Sequence, residues 1–318
     1  MGESLTHPHR KAPAVARTIF DDWIPEEQDS DVIQRIRQMS VVEDVALRVP
    51  MGTDTRTIPR SGGVEVEGVG KGQTYGEDVS LNDEVLLTAR KMGKAIRIAD
   101  EDLADSPVAI IQVKQRDWAT SYAKYLDNST LGCTGAENGT TVLFTSVYRA
   151  IRTDDPDVGY VANSNYTATG SGGPSYDALS ETVNLVENSD YWAEDEVLVL
   201  AHPTFRKNFR GIKDDSGRPI FISGREGTPD TLFELPVRWS MGARTSAINT
   251  ARPGGNPLMI VGNRTMLKLG MRSGPESRMV SGDTGIGFLS DESILKMRSR
   301  RGFTIGHPGA FAIMEDTR

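Results

Sequence analysis

The chain has 318 residues and an ordinary globular composition, with 37% hydrophobic and 25% charged residues. This composition excludes wholesale disorder, while 32 glycines and 16 prolines indicate many turns and loops. The length exceeds what one core usually supports, so two domains with extensions are expected. A net charge of -8 disfavours tight binding to nucleic-acid phosphates, although it is compatible with a surface that only faces packed DNA.

Residues 1 to about 28 are predicted to form an extended arm that is poorly ordered unless it docks. From Ser30, apolar residues at helical spacing as far as Met39 predict a short helix. Residues 41–49 then shift towards a strand pattern, which ends at Pro50. We therefore expect a short helix followed by a strand at the root of the arm.

A glycine-rich hairpin is predicted after the arm. Between Gly62 and Gly76, six of fifteen residues are glycine, and the flanks beginning at Thr55 and ending at Thr88 alternate only loosely at a strand period. An isolated two-stranded ribbon is marginally stable, and glycine weakens it further. We expect this hairpin to gain its order by lying on another molecule.

One long helix is the strongest predicted element. Residues 86–99 read as one or two strands, and an acidic turn at 100–105 follows. Ser106 and Pro107 form a typical helix start, and Gly132 with Gly135 a typical end. The apolar stripe between them steps by three and four residues over roughly 30 Å, which predicts a spine for a sheet; its members are Val108, Ile111, Gln115, Trp118, Tyr122 and Tyr125.

The second half of the chain reads as a second domain of mixed strands and helices. Residues 176–186 predict a helix, residues 196–201 a strand covered on both faces, and His202 with Pro203 the start of another helix. Residues 231–239 predict a strand broken by proline, and residues 258–262 a buried strand. Short strands separated by glycines are expected from Met266 onward.

Few residues suit metal, disulfide or catalytic chemistry. The single Cys133 is interpreted as a small buried apolar residue, and a triad built on it or on a serine is disfavoured because no G-x-S-x-G motif is present. Neither a metal nor a cofactor is expected, since the four histidines are scattered: His7, His9, His202 and His307. The longest apolar run, Val197–Ala201, and the lack of a signal-peptide core predict a cytoplasmic protein without membrane contact.

Three charged patterns favour structural roles. Lys71 stands between Gly70 and Gly72, but the spacing matches no phosphate-binding loop and indicates a mobile loop tip. The acidic residues of 100–105 lack the pattern of a calcium loop and are interpreted as stabilising a helix dipole. A basic set could contact DNA, although we favour pairing with acidic neighbours or with another subunit; its members are Lys296, Arg298, Arg300 and Arg301.

The ordered set of features resembles the major capsid protein of tailed bacteriophages, the Hong Kong ninety-seven type fold. Residues 87–106 are similar to the strand, the S-x-E-x-L-x-D-S turn and the spine-helix entry of that family, with Ala99 where serine is usual and Glu101 retained. Residues 126–135 resemble the end of the spine helix. Shorter blocks resemble later parts of the family, at residues 176–179, 198–205, 213–220, 232–237, 260–263 and 309–311.

The resemblance implies an α+β fold with an N-terminal arm (1–50), an extended loop (51–88), a peripheral domain with the spine helix (89–150 and 271–318) and an axial domain (151–270). It implies self-assembly through pentamers and hexamers into an icosahedral head around double-stranded DNA, without catalysis. Intersubunit contacts are predicted for the arm and the loop, with polar partners Arg56, Arg60, Lys71 and Glu77. A covalent crosslink through Lys71 is disfavoured.

The same resemblance implies partners and rivals. The short arm before the first helix predicts a separate scaffolding protein. A portal is a further expected partner, and a decoration protein is an optional one. Assembly is expected in the host cytoplasm, and the packaged DNA is expected to be contacted without sequence specificity. An encapsulin-like nanocompartment shell is the first alternative, because it shares the fold and encloses protein cargo. A metabolic enzyme with a nucleotide site is a more remote one.

Overall fold

The computed structural model describes residues 39–61, 63, 66–77, 82–106, 109–170, 172–212, 221–222, 230–281 and 290–318. Their helices are α1 (Val41–Val45), α2 (Asp100–Asp105), α3 (Ile110–Leu131), α4 (Val147–Ile151), α5 (Tyr176–Glu187) and α6 (Phe205–Gly211). Their strands are β1 (Leu47–Pro50), β2 (Thr55–Arg60), β3 (Asp83–Thr88), β4 (Arg90–Ala99), β5 (Tyr166–Thr169), β6 (Val197–Ala201), β7 (Phe221–Ile222), β8 (Asp230–Leu232), β9 (Leu235–Trp239), β10 (Leu258–Asn263), β11 (Leu267–Val280), β12 (Glu292–Ile305) and β13 (Phe311–Asp316).

A four-stranded sheet in the order β1-β11-β12-β4 packs beside α3. Strands β11 and β12 have 14 residues each and form one long antiparallel hairpin, so the prediction of short strands after Met266 is wrong for this part. Glycines do not end these two strands. Instead, Gly270 of β11 pairs opposite Gly302 of β12 in the middle of the hairpin. A Cβ on Gly270 would clash with the sulfur of Met51, so glycine here allows close packing rather than a turn.

The spine helix α3 has 22 residues and ends where the sequence predicts, with Gly132 as its C-cap. A Cβ on Gly132 would clash with the backbone carbonyl oxygen of Arg244, so only glycine permits this approach. The predicted start is wrong in detail: Ala109 is the N-cap and makes no side-chain cap hydrogen bond, while Ser106 ends α2. The last turns of α3 are buried on all sides, including the polar residues 127–130.

A seven-stranded sheet in the order β5-β13-β10-β6-β9-β8-β7 forms the other half of the described chain. Every residue of β6, β10 and β13 is buried, which confirms the doubly covered strand predicted at 196–201 and the buried strand predicted at 258–262. Alternate residues of these strands enter two different hydrophobic clusters: Leu198 and Leu200 pack in one, and Val197 and Val199 in the other. The sheet therefore separates two cores.

Of two predicted elements around the seven-stranded sheet, one differs from the structure and one agrees with it. The prediction of one strand broken at Pro236 is wrong, because β8 and β9 form a hairpin whose turn is Phe233 and Glu234, with φ of 50° and 67°. Pro236 lies inside β9, before the three residues that pair with β6. Helix α5 begins as predicted, with the Ser175 side chain accepting a hydrogen bond from the amide of Ala178.

The root of the arm also differs from the prediction. Residues 41–45 form helix α1 where a strand is predicted, and only β1 matches the predicted strand. Ser40 caps α1 by accepting a hydrogen bond from the amide of Glu43. The predicted acidic turn at 100–105 is the helix α2, whose first turn carries the three acidic residues 100–102. The predicted helix from Ser30 lies outside the described residues, except for Met39.

The predicted domain boundaries stay a prediction. Sheet membership supplies one detail that bears on them: β13 pairs with β10 and β5 in the seven-stranded sheet. Residues 311–316 therefore belong to the same sheet as the predicted axial segment, although the prediction assigns residues 271–318 to the peripheral domain.

Candidate assembly interface

The predicted hairpin is a two-stranded ribbon formed by β2 and β3, in register from Thr55 opposite Thr88 to Arg60 opposite Asp83. Its base is fixed to the subunit by Leu87, which is fully buried in a small cluster with Met51. The adjacent Leu86 is 56% exposed, since side chains alternate across the ribbon. One face of the ribbon base is therefore held by the subunit and the other faces outward.

Arg60 ties the outer end of this ribbon to the body of the subunit. Its Nε donates to Asp83 across the ribbon at 2.7 Å, and its Nη1 donates to Asp155 at 3.0 Å and to the carbonyl oxygen of Gly306 at 3.3 Å. The Arg60 side chain is only 14% exposed. Hydrogen bonding and charge from Arg60 lower the pKa of Asp83, and the two carboxylates raise the pKa of Arg60.

The other predicted contact residues lie apart from Arg60. Arg56 is exposed and donates to the carbonyl oxygen of Pro50 at 2.7 Å. Lys71 is exposed at the tip, in a turn closed by a 3.0 Å hydrogen bond from the amide of Gln73 to the carbonyl of Gly70. Glu77 is also exposed. Within the described residues, no hydrogen bond or ion pair joins any two of the four predicted contact residues.

Two apolar side chains on the loop beyond the ribbon are exposed. Val66 is 96% exposed and Tyr75 is 80% exposed. Isolated exposed apolar residues are common, but these two lie on the same loop. Their burial on a second surface would remove apolar area from water and order the loop.

A buried carboxylate organises the root of the N-terminal arm. Asp127 of α3 accepts hydrogen bonds from the hydroxyls of Ser40 at 2.5 Å and Ser240 at 2.6 Å. It also accepts from the first backbone amides of α1, those of Val41 at 3.1 Å and Val42 at 3.2 Å. Burial raises the pKa of Asp127, and these donors act against that rise. The carboxylate joins the arm root, the spine helix and the loop after β9.

Three of the four predicted basic residues of β12 meet acidic partners within the subunit, while Lys296 is exposed. Arg298 pairs with Glu276, Arg300 with Asp54 and Arg301 with Glu43, at 3.2, 2.8 and 2.8 Å. The partners lie on β11, before β2 and on α1, so these pairs connect the sheet to the arm root and the ribbon. This arrangement favours the predicted pairing with acidic neighbours over a nucleic-acid patch.

The residues considered for chemistry have structural surroundings. Cys133 is fully buried, which raises the pKa of its thiol and leaves it a packing residue. The Nδ1 of His307 accepts a hydrogen bond from the amide of Gly309. Among the described residues, no three histidine, cysteine or carboxylate side chains are placed to hold a metal ion. No described helix has the length and hydropathy needed to cross a membrane.

Sequence reasoning missed the partners that hold these elements. Three aspartates bind groups that are distant in sequence: Asp83, Asp127 and Asp155. The chain has 44 acidic residues, and its composition does not distinguish these three from the rest. A polar residue near the end of a predicted apolar helix is the one signal that marks Asp127. Nothing in the local sequence marks Asp155 as the partner of Arg60.

Comparison with known proteins identifies the class. The model of the phage capsid family matches residues 21–316. The probable major capsid protein gp17 of Mycobacterium phage L5 is 25% identical over 229 residues, which cover 70% of this chain and 66% of that protein. A solved chain of Mycobacterium phage Bobi has a TM-score of 0.70 at 15% identity, covering 94% of this chain and 97% of that one.

A second solved structure, the capsid of a native GTA particle computed with C5 symmetry, has a TM-score of 0.68 at 14% identity, over 96% of this chain and 100% of that one. The chain belongs to the phage capsid family. The family and the fold confirm the predicted resemblance and the α+β class, and they define a structural protein of the virion capsid.

Proposed function

We propose that this chain is the major capsid protein of a tailed phage and that copies of it assemble, through pentamers and hexamers, into the icosahedral head that encloses double-stranded DNA. The observation that carries the proposal is the family match over residues 21–316, which extends across both sheets and the ribbon. The protein acts by assembly and not by turnover of a substrate.

The ribbon and its loop supply the assembly contacts in this proposal. Leu87 holds the base of the ribbon and Arg60 holds its outer end, so the loop of residues 66–77 projects from a fixed origin. Val66 and Tyr75 are exposed on that loop and become buried on a neighbouring subunit. Lys71 and Glu77 lie on the same loop and contact polar groups of the neighbour, while Arg60 contributes by holding the outer end of the ribbon.

Further partners follow from the same proposal. A separate scaffolding protein, a portal and a decoration protein would act with the shell during assembly in the host cytoplasm. Packaged DNA meets the inner surface without sequence-specific contacts, which suits a chain of net charge -8.

Expression of the chain, followed by size-exclusion chromatography and negative-stain electron microscopy, tests the proposal. Closed shells are expected, and a persistent monomer under all assembly conditions, with saturable binding of a nucleotide, would refute it. Deletion of residues 62–76 is expected to leave a folded subunit and abolish shells. Normal shells from this deletion would refute the role of the loop. A separate measurement, the DNA content of particles from infected cells, distinguishes a phage head from a protein-filled compartment.

A further inference from the structure

A small cavity lies between the ribbon and the four-stranded sheet, with a volume of about 240 Å³. The ribbon side supplies one wall, with residues 58–61 and Val85. The opposite wall belongs to the body of the subunit, where Lys268 of β11, Thr304 of β12 and His307 line it. A water molecule takes up ~30 Å³ in the liquid, so this space suits a small ion with a few waters.

Four side chains of the body bring a polar hydrogen to this cavity without a hydrogen-bond partner for it among the described residues: Lys268, Thr304, His307 and Tyr191. In His307, the Nδ1 atom accepts from the amide of Gly309 at 3.0 Å, so the neutral ring carries its hydrogen on Nε2. The ring of Tyr191 stacks on this imidazole with centroids 4.5 Å apart, which holds both side chains in place. The cavity therefore has an excess of donors and lacks an acceptor for them.

The charge of the cavity is set by Lys268. This residue lies on β11, between β1 and β12 in the sheet, and it is half-buried. Burial lowers the pKa of its ammonium group. Arg60 also lines the cavity, but its charge is balanced by Asp83 and Asp155. Lys268 makes no ion pair within the described part of the chain, so the unbalanced positive charge is its own, and an anion in the cavity would remove the cost of burying it alone.

We propose that the cavity beneath the ribbon binds a small tetrahedral oxyanion of the phosphate class. Lys268 pairs with its charge, while Thr304 and His307 donate hydrogen bonds to its oxygens, which accept from several directions. Ser61 lines the cavity from the ribbon side, and its hydroxyl, which accepts from the amide of Gly63, still has a hydrogen to donate. The bound ion therefore joins the ribbon to the sheet and holds it on its own subunit. This site goes beyond the proposed function, because a single subunit contains all of it.

Calorimetric titration of unassembled subunits with sodium phosphate, at an ionic strength kept constant with sodium chloride, tests the site. Saturable binding of one ion is expected. Lys268→Met keeps the length of the side chain and should weaken binding by about tenfold or more, since one charge-assisted hydrogen bond is lost. Thr304→Val keeps the shape and should weaken it by roughly threefold. Lys296→Met, at an exposed position of the same sheet outside the cavity, is the matched control and should bind as the wild type does.

Hydrogen exchange locates the ion on the molecule. Phosphate stabilises most proteins because it is excluded from their surfaces, so the comparison is made between variants in the same phosphate solution. Phosphate should slow amide exchange in β2 and β3 of the wild type and of Lys296→Met, but not of Lys268→Met. Circular dichroism establishes that each variant is folded. Slowing of β2 and β3 to the same extent in all three proteins would contradict a site beneath the ribbon.

A second titration separates free phosphate from the phosphate group of a larger molecule. Adenosine monophosphate should bind at least tenfold more weakly than phosphate, because a cavity of about 240 Å³ is smaller than the roughly 300–1,000 Å³ that sites for larger ligands need. Equal binding of the two would overturn the assignment to a free ion. Absence of saturable phosphate binding, or equal affinity in the wild type and Lys268→Met, would overturn the site itself. Because these measurements use unassembled subunits, their failure leaves the proposed function untouched, and a failure to form shells leaves the ion site untouched.

Discussion

Replacement of Asp127 by asparagine tests the most connected polar group at the arm root. Oδ1 accepts from Ser40 and from the amide of Val42, and Oδ2 accepts from Ser240 and from the amide of Val41. Asparagine keeps one acceptor oxygen and turns the other position into a donor. The serine hydroxyls can rotate to accept from the new NH₂ group, but a backbone amide cannot.

The expected cost follows from that geometry. One backbone amide of α1 loses its acceptor, which costs about 1–3 kcal/mol, and the remaining bonds lose the strength that a carboxylate adds. Against this, a neutral amide is cheaper to bury than an ionised carboxylate, which is the effect that raises the pKa of Asp127. We expect a net loss of about 3 kcal/mol in the free energy of unfolding.

Urea unfolding of unassembled subunits, followed by tryptophan fluorescence, measures this loss. The control is Ser240→Ala, which removes one donor and should cost about 1 kcal/mol. Hydrogen exchange at the amides of Val41 and Val42 should rise sharply in Asp127→Asn if the carboxylate anchors α1. An asparagine variant as stable as the wild type, with unchanged exchange at α1, would refute the reasoning, because burial cost would then equal or exceed the contribution of the hydrogen bonds.

Three further predictions concern packing, the outer end of the ribbon and pH. Gly242→Ala should destabilise the subunit by about 2–4 kcal/mol, because its Cβ would lie 2.6 Å from a backbone nitrogen of α3. The control Gly254→Ala has no atom within 4 Å of its Cβ and should change the free energy of unfolding by less than about 0.5 kcal/mol in the same urea assay. Arg60→Gln should increase amide exchange in β2 and β3 roughly tenfold, while Arg56→Gln at an exposed position should not, and equal exchange in both variants would contradict the anchoring role. Burial lowers the pKa of His202 from 6.5 to about 4, so on acidification the unfolded chain takes up a proton before the folded chain does. The free energy of unfolding should therefore fall as the pH drops from 6.5 towards 4, by at most ~3 kcal/mol. His202→Asn should flatten that slope.

Elements with strong local signals were predictable from the sequence. The continuous apolar run of β6 predicts a doubly covered strand because both faces of the seven-stranded sheet carry a core. Gly132 predicts the end of α3 because helices commonly end at glycine. The glycine-rich hairpin predicts a projecting ribbon, and the order of these blocks carries the family resemblance.

The sequence by itself determined the class of the protein, its long helix, its buried strands and its weakly self-supporting ribbon, since these depend on local periodicity and composition. Tertiary structure decided what holds them: α1 forms where local residues favour a strand, because Asp127 supplies acceptors to its first amides from 85 and 86 residues away. It likewise decided that Arg60 pairs with Asp155, and that donors from β11, β12 and the turn after β12 line one cavity. Side chains distant in sequence meet only after the chain has packed, so no local pattern encodes these contacts.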